Sequence, residues 1–367
     1  MIKRPVTIDL RSDAVTRPTE GMWAAMRADH LDWSKQEDRS VMLTEGLAAD
    51  ITGKEAAILV PSGTMANTLA LLCWTRAGDE FITDEGAHVV VSEDHAFARL
   101  AGIYPRRLAG LNGHLQADQV QTAVDDQRLG HKARTSLVWL ENTHNASGGT
   151  VTDPKTIYAV SSVAHSSGAM VHLDGARLFN ACTSLQASPR DLLDPVDSVT
   201  VNLNKALSAP AGALLCGPAP FIREARARAV GLGGILSQAG LMAAAGRIAL
   251  ETMTDRIAED HLTATHLAEG VRGLGPFIVP QSIDTNIVMV GVGGGLSSSF
   301  VLRILARSGV GALAYDEHTI RLVTHRHIQE QHVVSVIDAF SMAADALVPQ
   351  TAKTQESLPI ESTSEER

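Results

Sequence analysis

Short apolar runs rich in β-branched residues recur along the first two thirds of the chain, each closed by turn residues and followed by a stretch with helical spacing. Residues 56–60, 80–84, 136–140, 171–174, 198–202 and 213–216 read as strands. Between and around them, 21–30, 41–52, 65–75, 154–167, 220–230 and 237–254 read as helices. This alternation predicts an α/β fold with a mostly parallel sheet and its chemistry at the carboxyl edge of the strands. The opening segment 6–13 alternates only briefly, enough for one short strand.

The pattern changes near residue 256. A helix (257–273), a strand (287–292), a helix (298–308), two strands (310–315 and 319–324) and a last helix (329–347) describe a smaller C-terminal α+β domain. The expected division is a large domain over 1–255, which includes the N-terminal segment, and a small domain over 256–347. The polar, Ser/Thr/Glu-rich tail 348–367 reads as disordered.

Composition narrows the class without naming a function. A hydrophobic share of 45% with 20% charged residues over 367 positions is that of an ordinary soluble globular chain. The net charge of −10 argues against a nucleic-acid surface, and it leaves room for a small anion held by local amides. No run approaches about eighteen apolar residues and no signal peptide is visible, so a cytoplasmic location without membrane attachment is expected. Cys73, Cys182 and Cys216 are widely spaced in apolar surroundings and read as reduced core residues.

The candidate chemistry lies at strand ends. Val171-His172-Leu173-Asp174 and Ser198-Val199-Thr200-Val201-Asn202-Leu203-Asn204-Lys205 bring an acid and a lysine to one edge. An amine that condenses with an aldehyde, facing an aspartate that keeps a pyridine nitrogen protonated, is the pair that pyridoxal phosphate requires. Singly, each has a blander reading: a helix N-cap for Asp174, a solvated loop charge for Lys205. Ser62-Gly63-Thr64, between a strand and a helix, offers backbone amides to a phosphate, or serves simply as turn and cap. His88 and His144 stand at two further strand ends, fit for stacking or proton transfer, or for ordinary surface hydrogen bonds. His325, His327 and His332 have no carboxylate or cysteine at zinc-ligand spacing. They read as a solvated loop and helix face, and no metal site is expected.

Six ordered segments give the chain a family resemblance: Asp9-Leu10-Arg11-Ser12-Asp13, Pro61-Ser62-Gly63-Thr64-Met65-Ala66-Asn67, Glu85-Gly86-Ala87-His88, Glu141-Asn142-Thr143-His144-Asn145, His172-Leu173-Asp174-Gly175-Ala176-Arg177 and Ile320-Arg321-Leu322-Val323-Thr324-His325. Together they resemble the low-specificity L-threonine aldolases, in the aldolase and β-eliminating lyase group of the fold-type I pyridoxal-phosphate enzymes. The resemblance implies that Lys205 carries the cofactor, Asp174 pairs with the pyridine nitrogen, and His88 stacks on the ring. It places Ser62, Gly63, Thr64 and Arg177 among the cofactor ligands and Ser12, Arg177 and Arg321 around a substrate carboxylate. His88 and His144 become candidates for moving the β-hydroxyl proton. It further implies a homodimer or homotetramer whose sites a neighbouring subunit completes, acting on a small amino acid.

Certain positions depart from the family pattern. Lys35-Gln36-Glu37-Asp38-Arg39 stands where the family carries tyrosine and glycine before the acidic pair and proline after it. Ser237 replaces an arginine that reaches the phosphate across the interface, and Val90 and Ser92 replace aromatic residues. A compensating role of Lys35 at the phosphate is one expectation. Two rivals to the aldolase remain: a β-eliminating lyase or dehydratase on the same scaffold, and a non-catalytic binding module.

Overall fold

The computed structural model describes residues 6–29, 38–128 and 133–346. In chain order its strands are β1 (Ile8–Asp9), β2 (Ala56–Val60), β3 (Glu80–Asp84), β4 (Tyr104–Leu108), β5 (Thr135–Glu141), β6 (Met170–Gly175), β7 (Ser198–Asn202), β8 (Ala213–Gly217), β9 (Phe277–Ile278), β10 (Ile287–Val292), β11 (Val310–Gly311), β12 (Leu313–Asp316) and β13 (Thr319–Val323).

Seven strands form the main sheet in the order β2-β8-β7-β6-β5-β3-β4. All pairings among β3 to β7 are parallel, while β8 runs antiparallel between β2 and β7. The apolar runs are continuous because both faces are covered. Ile58, Val60, Phe81, Leu137 and Trp139 point into one core, and Leu59, Ile82, Val138, Leu140 and Leu173 into the other. Trp139 is fully buried against His172, with ring centroids 4.2 Å apart. Truncating a side chain of this size in such a core costs about 3–5 kcal/mol.

The sequence pattern does not reveal β4. Tyr104-Pro105-Arg106-Arg107-Leu108 carries a proline and two arginines, which a strand tolerates at a sheet edge, and β4 pairs only with β3.

The smaller sheet is antiparallel, in the order β12-β13-β10-β9. The opening segment, which the sequence assigns to the large domain, pairs instead with this C-terminal part: Ile8 and Asp9 run parallel to Val310 and Gly311. Ile8 and Leu10 lie in one core with Val288, Leu322 and Phe340. This association corrects the reading of His325 as solvated. The residue is 2% exposed, with Nε2 2.7 Å from the Asp9 carbonyl. His327 Nε2 accepts the Arg17 amide and His332 Nδ1 accepts the Gln329 amide at the start of the last helix. Lys35 and the tail 348–367 lie outside the described residues.

Candidate active site

Five segments meet at the carboxyl edge of the main sheet. After β2, Ser62 caps a helix over Gly63–Trp74, its hydroxyl accepting the Met65 amide at 3.1 Å. The first amides of that helix have no intrahelical partner and carry the positive end of its dipole. Gly63 is needed for space. A Cβ there would stand 2.4 Å from Asn202 Oδ1, at the end of β7. That oxygen is itself buried without a hydrogen-bond partner, so polar groups converge on a cavity of about 220 Å³.

Asp174, at the end of β6, is 2% exposed and faces the cavity. Its Oδ1 accepts the Ala176 amide at 3.0 Å and its Oδ2 accepts Asn67 Nδ2 at 2.8 Å. The same amide nitrogen donates to Glu93 Oε1 at 2.8 Å, and Glu93 Oε1 lies 2.9 Å from His88 Nδ1. His88 opens a four-residue helix, with its backbone amide on Glu141 Oε2 at 2.6 Å. The hydrogen bond that His88 makes to Glu93 raises the pKa of His88, against its burial. His88, Glu93 and Asp174 offer ligand atoms within 4.8 Å of one another, but Asn67 stands between the two acids and supplies the donors that a cation would otherwise replace.

Lys205 lines the same cavity. Desolvation first, then the Arg177 charge, lowers its pKa to about 8. An amine in that range is about a tenth neutral at pH 7, several hundred-fold more than an ordinary lysine, and the neutral form is the one that attacks an aldehyde.

Arg177 is 5% exposed and already held on three donors. Its Nε and one terminal nitrogen grip Asp13 at 2.7 and 2.8 Å, and the other terminal nitrogen donates to Asn145 Oδ1 at 3.2 Å. Arg321 on β13 donates to the same Asn145 oxygen at 2.9 Å, which sets the two guanidinium groups side by side. Arg321 Nε is buried with no partner. Burial, and next the Arg177 charge, lowers the pKa of Arg321 to about 10. An orphaned donor on a desolvated cation is a ready carboxylate ligand. Ser12 caps the short turn Asp13–Val15, its hydroxyl accepting the Ala14 amide at 3.1 Å and lying 3.4 Å from the Asp13 Oδ1 that Arg177 grips.

His144 stands apart from the cavity. It is 1% exposed, with Nε2 3.1 Å from Asp84 Oδ1 and Nδ1 2.9 Å from Ser147 Oγ. Burial lowers its pKa, but Asp84 and the nearby acids outweigh this and raise it. Nδ1 is hydrogen-bonded within the loop after β5, whereas Nε2, though 3.1 Å from Asp84 Oδ1, is buried without an aligned hydrogen bond. Asp13, Asn67, Glu93, Asn145 and Asn202 carry no assigned role in the sequence reading. Asp13, Asn67 and Asn145 sit inside the resembling segments and Asn202 in the strand that leads to Lys205; Glu93 carries no signal beyond following His88 by five positions.

Pyridoxal phosphate fits these residues. The amine with lowered pKa, the buried acid lining the same cavity and the glycine-opened helix start with its free backbone amides correspond to its aldehyde, ring nitrogen and phosphate. Among the described residues, no helix is long and apolar enough to cross a membrane.

The chain is similar to known proteins over nearly its whole length. Residues 9–294 match the profile of the β-eliminating lyase family. The chain is 36% identical to the low specificity L-threonine aldolase of Escherichia coli O157:H7 over 331 residues, covering 90% of this chain and 97% of that one. It is 32% identical to low-specificity L-threonine aldolase 1 of Arabidopsis thaliana over 345 residues, covering 92% and 96%. Among solved structures, the Leishmania major threonine aldolase shares the fold with a TM-score of 0.80 at 16% identity, covering 92% of this chain and 99% of that one. By this match over most of its length, the chain belongs to the β-eliminating lyase family and is a pyridoxal-phosphate-dependent lyase of the fold-type I class.

Proposed function

We propose that this protein cleaves the Cα–Cβ bond of a threonine-like β-hydroxy-α-amino acid to glycine and an aldehyde. The observation that carries this reading is the paired arginines beside the cofactor cavity, with Arg321 Nε buried and unpartnered. Such a group selects a substrate with a free carboxylate at a fixed distance from the amine site.

Each residue then has a task. Ser62, Gly63 and Thr64 receive the phosphate, and Asp174 holds a proton at the ring nitrogen. Lys205 presents its amine, and the imidazole of His88 covers the ring. The bound cofactor supplies the electron sink for the pair released from the breaking bond. Arg321 binds the substrate carboxylate, with Ser12 at its side and Arg177 supporting the site through Asp13 and Asn145. His88, which lines the cavity where His144 does not, takes the β-hydroxyl proton. This reading also includes a cytoplasmic homodimer or homotetramer, with each site completed by a neighbouring subunit.

The test is to add L-threonine and bulkier β-hydroxy amino acids to the purified protein while recording visible absorbance, glycine and aldehyde together. Glycine and aldehyde in equal amounts, lost in Lys205→Ala, support the aldolase. Ammonia and a keto acid instead would replace it with the β-elimination for which the matched family is named.

A further inference from the structure

Glu93 has a fully covered side chain, and no step above uses it. The chain leaves the helix His88–Val91 at Ser92, and the next residue turns its carboxylate back to the ring of His88. Its Oε1 is 2.9 Å from His88 Nδ1 and 2.8 Å from Asn67 Nδ2, and Asn67 Nδ2 is 2.8 Å from Asp174 Oδ2. Both hydrogens of the Asn67 amide are therefore placed, one on each acid.

An ionised carboxylate can only accept, so His88 must donate from Nδ1. In the neutral ring the acceptor lone pair is then on Nε2. We propose that Glu93 is a positioning residue that fixes His88 in the Nδ1–H tautomer, which makes Nε2 the atom that receives the substrate's hydroxyl proton. Asn67 ties this acid to Asp174, so the proton acceptor and the acid at the cofactor nitrogen are held by one hydrogen-bonded chain. The identity of the proton rests on the aldolase reading; the tautomer does not.

The groups facing His88 agree in sign. Glu93 from its own loop, Asp174 from β6 and Glu141 from β5 are all acidic and all favour the protonated imidazole. Burial, with the charge of Asp174, raises the pKa of Glu93, and the hydrogen bonds from His88 and Asn67 oppose the shift without reversing it. The competing state, with Glu93 protonated and donating to Nδ1, puts the ring hydrogen on Nε2 instead.

Two measurements separate these states. In the holoenzyme labelled with ¹⁵N-histidine, with His88→Asn used to assign the signal, the neutral ring of His88 is expected to be protonated on Nδ1 and bare on Nε2. In Glu93→Gln the amide oxygen still accepts from Nδ1 but the charge is gone. The acid limb of kcat/KM, which reports the base, is expected to move down by about one pH unit with the cofactor absorbance intact. A wild-type ring protonated on Nε2 overturns the proposal, and so does an unmoved acid limb in a Glu93→Gln enzyme that retains its cofactor. Should that variant not fold, the wild-type tautomer decides alone. Should no glycine be formed from any substrate, the aldolase reading fails while the tautomer measurement still stands.

Discussion

Arg177 and Asp13, 164 residues apart in the chain, meet inside the protein through two parallel bonds of 2.7 and 2.8 Å. The pair joins the N-terminal segment to the loop after β6. Of the two arginines that meet at Asn145, it leaves Arg321 with an unsatisfied donor, Nε.

Asp13→Asn removes the partner of a buried cation. The expected loss of folding stability is about 3–5 kcal/mol, read by urea denaturation at neutral pH. The acid side has a definite sign. Burial would raise the pKa of Asp13, but Arg177, then Lys205 and Arg321, hold it well below the usual carboxylate range. With the folded pKa depressed, its stabilisation is complete above the ordinary value of 3.8 and fades as pH falls below it toward the folded value. Asp13→Asn is expected to flatten the stability profile in that window.

The lowered pKa of Lys205, about 8 against an ordinary 10.5, predicts the pH dependence of cofactor uptake. Because the neutral amine is the reactive form, the rate of uptake by cofactor-free protein should rise with pH to a midpoint near 8. Stopped-flow absorbance would show this, and a midpoint above 10 would contradict the desolvated site.

Arg321→Lys keeps the charge and loses the planar fork. If the guanidinium holds the substrate carboxylate through charge-assisted bonds, kcat/KM falls about 10- to 100-fold, the equivalent of about 1.5–3 kcal/mol. Cofactor affinity should stay unchanged, and steady-state kinetics beside a cofactor titration would check both.

Gly63→Ala places a methyl group 2.4 Å from Asn202 Oδ1. Asn202 must move at the mouth of the phosphate cradle, at a cost of about 1–3 kcal/mol. Because the strain is present before the cofactor binds, the melting temperature of the cofactor-free protein is expected to fall by a few degrees and cofactor affinity to weaken about 10- to 100-fold, measured by calorimetry and equilibrium titration.

The sequence by itself determined the strands of the main sheet except β4, the carboxyl edge as the place of chemistry, and Lys205, Asp174 and Arg321 as the residues to watch. These features are local: continuous apolar runs, turn residues, and motifs read in order along one segment. β4 was hidden because a strand at a sheet edge needs no apolar run, so Pro105, Arg106 and Arg107 are tolerated there. Tertiary structure alone decided the antiparallel insertion of β8, the pairing of Ile8 with Val310, and the burial of His325 under Asp9. It also separated two histidines that look alike in sequence, giving His88 to the cavity and His144 to Asp84 and Ser147. The physical reason is the same throughout. A hydrogen bond such as Asn67 to Asp174, across 107 positions, depends on where two backbones come to lie, and neither residue's neighbours in the chain encode its partner.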